Sequence, residues 1–135
     1  VMDPVDAATA DPIERVFVLC AQYRGWLAPI GFAQGCPIGN LALEVGDSSP
    51  QARELIRRNF EGWYGAVRSW LVAAAAGGGL PASIALKPLA GVFLTALEGA
   101  IMQGRAAQSP QPFDDSVAQL RSYFQLLSQG GGMRG

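Results

Sequence analysis

Apolar side chains recur at every third or fourth position along nearly the whole chain. No run of alternating polar and apolar residues is long enough to make a half-buried strand. That periodicity restricts the chain to packed helices. It is clearest in Ala52, Ile56, Phe60, Trp63, Val67, Trp70 and Ala74, at intervals of four, four, three, four, three and four. Ser49 is the expected N-cap, with Asp47 and Ser48 as alternatives, and Pro50 suits the first helical position. The run stops at Gly77-Gly78-Gly79. About 27 residues at ~1.5 Å each predict a rod of roughly 40 Å.

Four further helices follow from the same rule. The first opens at Asp11, where Pro12 takes the first position and Glu14 completes a capping box. Its apolar face carries Ile13, Val16, Phe17, Cys20, Tyr23, Arg24 and Leu27, and it ends near Pro29-Ile30-Gly31. A short second helix is predicted over residues 38–45, preceded by Gly35-Cys36-Pro37 and followed by Gly46, with Asn40 inside it. The fourth covers residues 85–107, and the fifth starts near Phe113 with Asp114 and Asp115 at the positive end of its dipole. Residues 1–10 are read as the end of a connecting helix or a linker, 11–129 as one domain and 130–135 as a disordered tail. The fold class is all-α, a bundle of five helices, or six.

The fourth predicted helix is apolar almost all round, so it has to be buried on more than one side. Leu86, Ala90, Phe93, Leu97, Ala100 and Gly104 form one stripe, flanked by Leu89, Val92 and Ala96. Phe113, Val117, Leu120, Phe124 and Leu127 make a further stripe on the last helix. Two such helices from each of two copies would build a four-helix bundle. The alternative is that the first three helices cover everything. Gly62 and Gly65, beside Trp63 and Tyr64, imply either close helix crossings or a space; with Tyr23, Arg24 and Asn40, a lined cavity becomes worth stating.

The residues exclude much chemistry. Ten Lys+Arg against eleven Asp+Glu leave no basic excess for phosphates. There is no His, which removes the commonest general base and metal ligand. Cys20 and Cys36 are too few for a zinc site or a disulfide framework. No phosphate-binding glycine fingerprint occurs. Cys36, before Pro37 at a helix start, is a candidate for a lowered pKa, against the plainer reading of a small buried side chain. The most apolar stretch, residues 70–76, is far short of the ~20 residues a membrane span needs. The expectation is a cytoplasmic protein with no cofactor, no metal, no catalytic residue and no membrane contact.

The segment Gly35-Cys36-Pro37-Ile38-Gly39-Asn40-Leu41-Ala42-Leu43-Glu44 resembles the C-terminal regulatory domain of TetR/AcrR-type bacterial transcriptional repressors. There a Gly-Cys-x-x-Gly-Asn-x-x-x-Glu pattern precedes a short acidic and Ser turn, here Gly46-Asp47-Ser48-Ser49, and a long helix with a late Trp. Arg53, Phe60 and Trp63 fit that helix, 94–100 resembles the penultimate helix and Pro112-Phe113-Asp114 the last. The likeness spans about residues 12–128. It implies a homodimer through the last two helices and a small, mostly apolar effector bound between the others. It also implies operator DNA held by an N-terminal three-helix head and released when the effector binds. No basic recognition helix precedes Asp11, so DNA contact is expected only through a head these residues lack.

The candidate ligand-binding residues are Phe17, Cys20, Tyr23, Arg24, Asn40, Phe60, Trp63, Tyr64 and Val67. The candidate interface residues are Leu89, Val92, Phe93, Ala96, Leu97, Ala100, Val117, Leu120, Phe124 and Leu127; Phe93 suits either set. Two rivals are a helical dimerisation module without a ligand, and a small helical enzyme with Cys36 as nucleophile.

Overall fold

The helix boundaries follow from local caps. In the computed structural model, which describes residues 2–45 and 48–132, the elements are α1 (Met2–Ala8), α2 (Pro12–Leu27), a 3-10 turn (Ala28–Ile30), α3 (Pro37–Val45), α4 (Pro50–Ala76), α5 (Leu86–Ala107) and α6 (Gln111–Gly132). There is no strand among the described residues. The Asp11 carboxylate accepts from the N–H of Ile13 at 2.9 Å and of Glu14 at 3.3 Å. The reciprocal half of the capping box is not made. The Asp11 N–H donates to Thr9 Oγ1, while the Glu14 carboxylate accepts from Arg121 Nη1 of α6 at 2.7 Å. Ser49 caps α4 by accepting from the Ala52 N–H. The remainder of the turn before it, Gly46 and Asp47, lies outside the described residues.

α5 packs against both α4 and α6, α2 against α1, α4 and α6, and α3 against α4. α5 therefore meets the demand its composition makes: Leu89, Ala90, Phe93, Leu94, Leu97, Ala100, Ile101 and Gly104 are all buried. Burial of each Leu, Ile or Phe there contributes about 1.5–3 kcal/mol. Val5 of α1 is fully buried too, and Asp6 accepts from Trp70 Nε1 at 2.8 Å while pairing with Arg15 at 3.4 Å. The first ten residues thus include a helix seated on α2 and α4. At the other end, the α6 backbone stays helical to Gly132, beyond the residue 129 boundary expected, and 133–135 lie outside the described residues.

α2 and α6 are tied twice. Arg24 donates to Asp114 through Nε and Nη2 at 2.7 and 2.9 Å. The Arg121 guanidinium sits 4.1 Å from the centroid of the Phe17 ring, which meets Phe124 edge-on at 5.8 Å. Between these helices and α5, the turn after α2 inserts a plug. Gly31 and Phe32 both adopt left-handed backbone, at φ 61° and 60°. For Phe this conformation costs about 1–3 kcal/mol. The Phe32 ring is fully buried, lies against Phe113 and occupies the space left by Gly104, where a Cβ would stand 2.9 Å from Phe32 Cδ1.

Gly62 and Gly65 do not serve a helix crossing or a lined space. Both are exposed, and a Cβ on either meets nothing within 4 Å. Each therefore weakens α4 with no packing return, at about 1 kcal/mol relative to Ala. Gly62→Ala and Gly65→Ala are each expected to raise unfolding free energy by about 0.4–1 kcal/mol in urea titrations. Gly104→Ala, which drives a methyl into the Phe32 ring, is expected to lower it; a stabilising Gly104→Ala would contradict this packing.

Candidate functional site

Two grooves flank the paired rings of α4. The first is formed where α2 ends. Tyr23 and Trp26 of α2 meet edge to face at 5.5 Å, and the chain then turns through Ile30 and returns at Gly35 with φ 63°. The turn is locked by Asn40, whose Nδ2 donates to the Gln34 carbonyl at 2.7 Å. Tyr23, Trp26, Leu27, Ile30, Cys36, Ile38 and Trp63 line a cavity of about 340 Å³ there. The second groove, about 590 Å³, lies between α4 and α5 and is lined by Arg57, Phe60, Glu61, Tyr64, Leu94, Thr95, Glu98, Gly99 and Met102. Phe60 of the second groove and Trp63 of the first contact edge to face at 5.4 Å, so one aromatic pair separates them. Both volumes suit a small organic molecule.

A polar cluster lies at the foot of this partition. Pro37 starts α3 directly after Cys36. Glu98 of α5 approaches that first turn so closely that a Cβ on Gly39 would meet its Oε2 at 2.5 Å, so any side chain there would push the carboxylate aside. Burial raises the Glu98 carboxyl above its ordinary pKa, and the hydrogen bond from the Cys36 thiol opposes the rise. Burial also pushes Cys36 up to about 11, against the N–H groups of Gly39 and Ile38 at its sulfur, with Glu98 adding to the rise. Tyr23 is pushed up to about 12 by burial, with Cys36 and Glu98 contributing. Cys36 is thus a neutral thiol at neutral pH, the reverse of the lowered pKa that its position before Pro37 suggested. Cys20, buried under α6, is pushed up to about 12 by desolvation. Both cysteines are free.

The nine candidate ligand residues separate. Tyr23 and Trp63 line the first groove, Phe60 and Tyr64 the second. Phe17, Cys20 and Val67 are buried in the core. Arg24 is held by Asp114, and Asn40 fastens the turn. Trp26, Ile30, Leu94, Met102 and Glu98 were missed. Glu98 reads in sequence as a polar break on an apolar helix, and nothing in its spacing points to Cys36.

The ten candidate interface residues separate as well. Leu89, Phe93, Leu97, Ala100, Leu120 and Phe124 are covered within the subunit. Val92 is 55% exposed, and Ala96, Val117 and Leu127 are partly so. Between α5 and α6, Val92, Ala96, Asp115, Ser116, Gln119, Leu120 and Tyr123 line a shallow groove of about 540 Å³. Leu126, 65% exposed, extends the apolar residues along α6.

A family model described as the tetracyclin repressor-like C-terminal domain matches residues 12–120. The chain belongs to this family. Among solved structures, regulatory protein TetR from Rhodobacter sphaeroides is 26% identical with a TM-score of 0.77, over 84% of this chain and 60% of that one. A TetR transcriptional regulator from Chloroflexus aurantiacus is 23% identical with a TM-score of 0.74, over 85% of this chain and 58% of that one, and shares the fold. The chain therefore spans about three fifths of the length of each regulator. No individually curated protein matches it. The all-α expectation and the TetR resemblance both hold. No helix among the described residues is long and apolar enough to cross a membrane.

Glu98 gives the TetR-like domain a pH dependence of known sign. Its folded pKa lies above the ordinary value of 4.5, so its ionisation opposes folding. The favourable contribution is complete below that value and is lost as pH rises through the raised one. Asp114 works in a separate window: Arg24 depresses it below 3.8, so its contribution is lost only as pH falls through the depressed value. Thermal melts between about pH 5 and 7 should show wild type gaining stability on acidification. Glu98→Gln should flatten that gain; an unchanged slope would rule out Glu98 as its source.

Proposed function

We propose that this chain is the effector-sensing and homodimerising body of a TetR-like transcriptional repressor. The observation that carries the reading is the apolar strip left by α5 and α6 after each has packed inside the subunit. Val92, Tyr123 and Leu126 stay 55%, 43% and 65% exposed beside the groove between the two helices. Large apolar side chains gathered on one face of a water-exposed protein favour a partner surface. The same two helices from a second copy, related by a two-fold axis, would complete a four-helix bundle. In the whole protein, an N-terminal head would bind operator DNA in the cytoplasm. A small, mostly apolar effector would release the DNA by binding the DNA-incompetent state more tightly, and the coupling would be reciprocal.

A dimerisation module without a ligand is the second reading. It is favoured by the solid interior between α2 and α4, where Phe17, Cys20, Val67 and Leu71 leave the core filled. Effector sensing is favoured by the aromatic lining of the grooves on either side of Phe60 and Trp63. Enzyme chemistry at Cys36 finds little support in a thiol raised to about 11.

Two measurements separate these readings. Equilibrium sedimentation should give a dimer at micromolar concentration, weakened by about tenfold or more in the double variant Val92→Glu, Leu126→Glu. A wild-type monomer would overturn the assembly. Neutral aromatic compounds should quench tryptophan emission in wild type and much less in Trp63→Phe. Equal responses, or none from a broad panel, would favour the module without a ligand.

A further inference from the structure

Every other α-helix carries at least one buried side chain; among residues 37–44 of α3 there is none, and Leu43 is 74% exposed. A short segment with so few buried contacts can open locally, at far lower cost than the whole fold. The chain enters α3 through a hinge at Gly35, with φ at 63°. Beyond its packing on α4, the first turn of α3 is fastened from within and from α5. Asn40 Nδ2 donates to the Gln34 carbonyl at 2.7 Å. Glu98 reaches over from α5, accepts from the Cys36 thiol and fills the space that a Gly39 side chain would take.

That seat suits a neutral carboxyl better than a charged one. Glu98 is half-buried, and no ion pair to it occurs among the described residues. The N–H groups of Ile38 and Gly39 bond to the Cys36 sulfur, so the carboxylate receives a thiol, which is a weak donor. The surrounding groups offer no counter-charge. Tyr23 of α2 is a neutral phenol. On α4, Tyr64 and Glu61 share the groove wall, and Arg57 is engaged by Glu54 and Glu61. Arg105, two turns along α5, lies against Gly35. We propose that Glu98 is a proton-operated latch on α3: protonated, it stays seated against the first turn; ionised, it moves into the water of the groove between α4 and α5, and the turn swings away from α5. The sign follows from linkage. Burial raises the seated carboxyl above its ordinary 4.5, so seating is fully favoured below that value and is lost as pH rises through the raised one. The turn carries Cys36, Pro37 and Ile38, which wall the 340 Å³ cavity beside Tyr23 and Trp63, so opening reshapes that cavity. The latch needs neither an effector nor a second copy of the chain.

The test is amide hydrogen exchange on the whole chain, read by mass spectrometry between about pH 5 and 7 and corrected for the intrinsic effect of pH. Two segments are compared: residues 35–45, which report the latch, and residues 66–74 of α4, which report the core. The first should exchange far faster than the second at every pH, and its protection should fall by about tenfold as pH rises. Glu98→Gln keeps the shape of the side chain without the charge and should hold that protection level across the range. Gly39→Ala displaces the carboxylate and should leave the segment poorly protected at low pH as well. Helix propensity alone predicts the opposite for this variant, because Ala favours a helix over Gly by about 1 kcal/mol. Equal protection of the two segments would mean that α3 opens only with the whole fold, and overturns the latch. So does a wild-type profile without pH dependence, one that survives Glu98→Gln, or a Gly39→Ala variant protected better than wild type.

Discussion

The burial of α5 on two sides is the constraint on which the domain depends. A helix with Leu89, Phe93, Leu97 and Ile101 inside and Val92 and Met102 outside cannot be covered by one neighbour. α4 closes one flank and α6 the other, and α2 spans from α4 to α6. Two of the grooves described above are places where that cover is incomplete. Between α4 and α5 the rings of Phe60 and Tyr64 stand off from Thr95 and Glu98. Between α5 and α6, Val92 and Tyr123 are left exposed. The open surfaces of the bundle are thus set by the same packing that makes it stable.

Much of this architecture was legible in the residues. The intervals from Ala52 to Ala74, framed by Ser49-Pro50 and three glycines, placed α4 with its observed bounds. The Gly35-Cys36-Pro37-Ile38-Gly39-Asn40 block carried the family, because its backbone roles are specific. Gly35 is left-handed, Gly39 makes room for Glu98, and Asn40 holds the Gln34 carbonyl.

The site was less legible, and for a definite reason. Periodicity tells which residues share a helix face but not which neighbour covers each turn of it. Phe17 and Cys20 share a face with Tyr23, yet the first lies under Phe124 and the last lines a groove. The stripe of α5 likewise says that Phe93 and Val92 are both apolar, while only the arrival of α4 and α6 decides that one is hidden and the other open. Long-range electrostatics escaped altogether. Glu14 was assigned to a local cap and instead reaches Arg121, and Glu98 acquires its meaning from a thiol far away in the chain.

The left-handed Phe32 links these levels. Its backbone conformation is unfavourable for any side chain with a Cβ, and it persists because the ring is seated between Gly104 and Phe113. Two residues later, Gln34 begins the rim of the groove under Trp26 and Trp63. The ring thus spends its burial on holding a turn that its own backbone disfavours, and it takes that hold from α5 and α6 together.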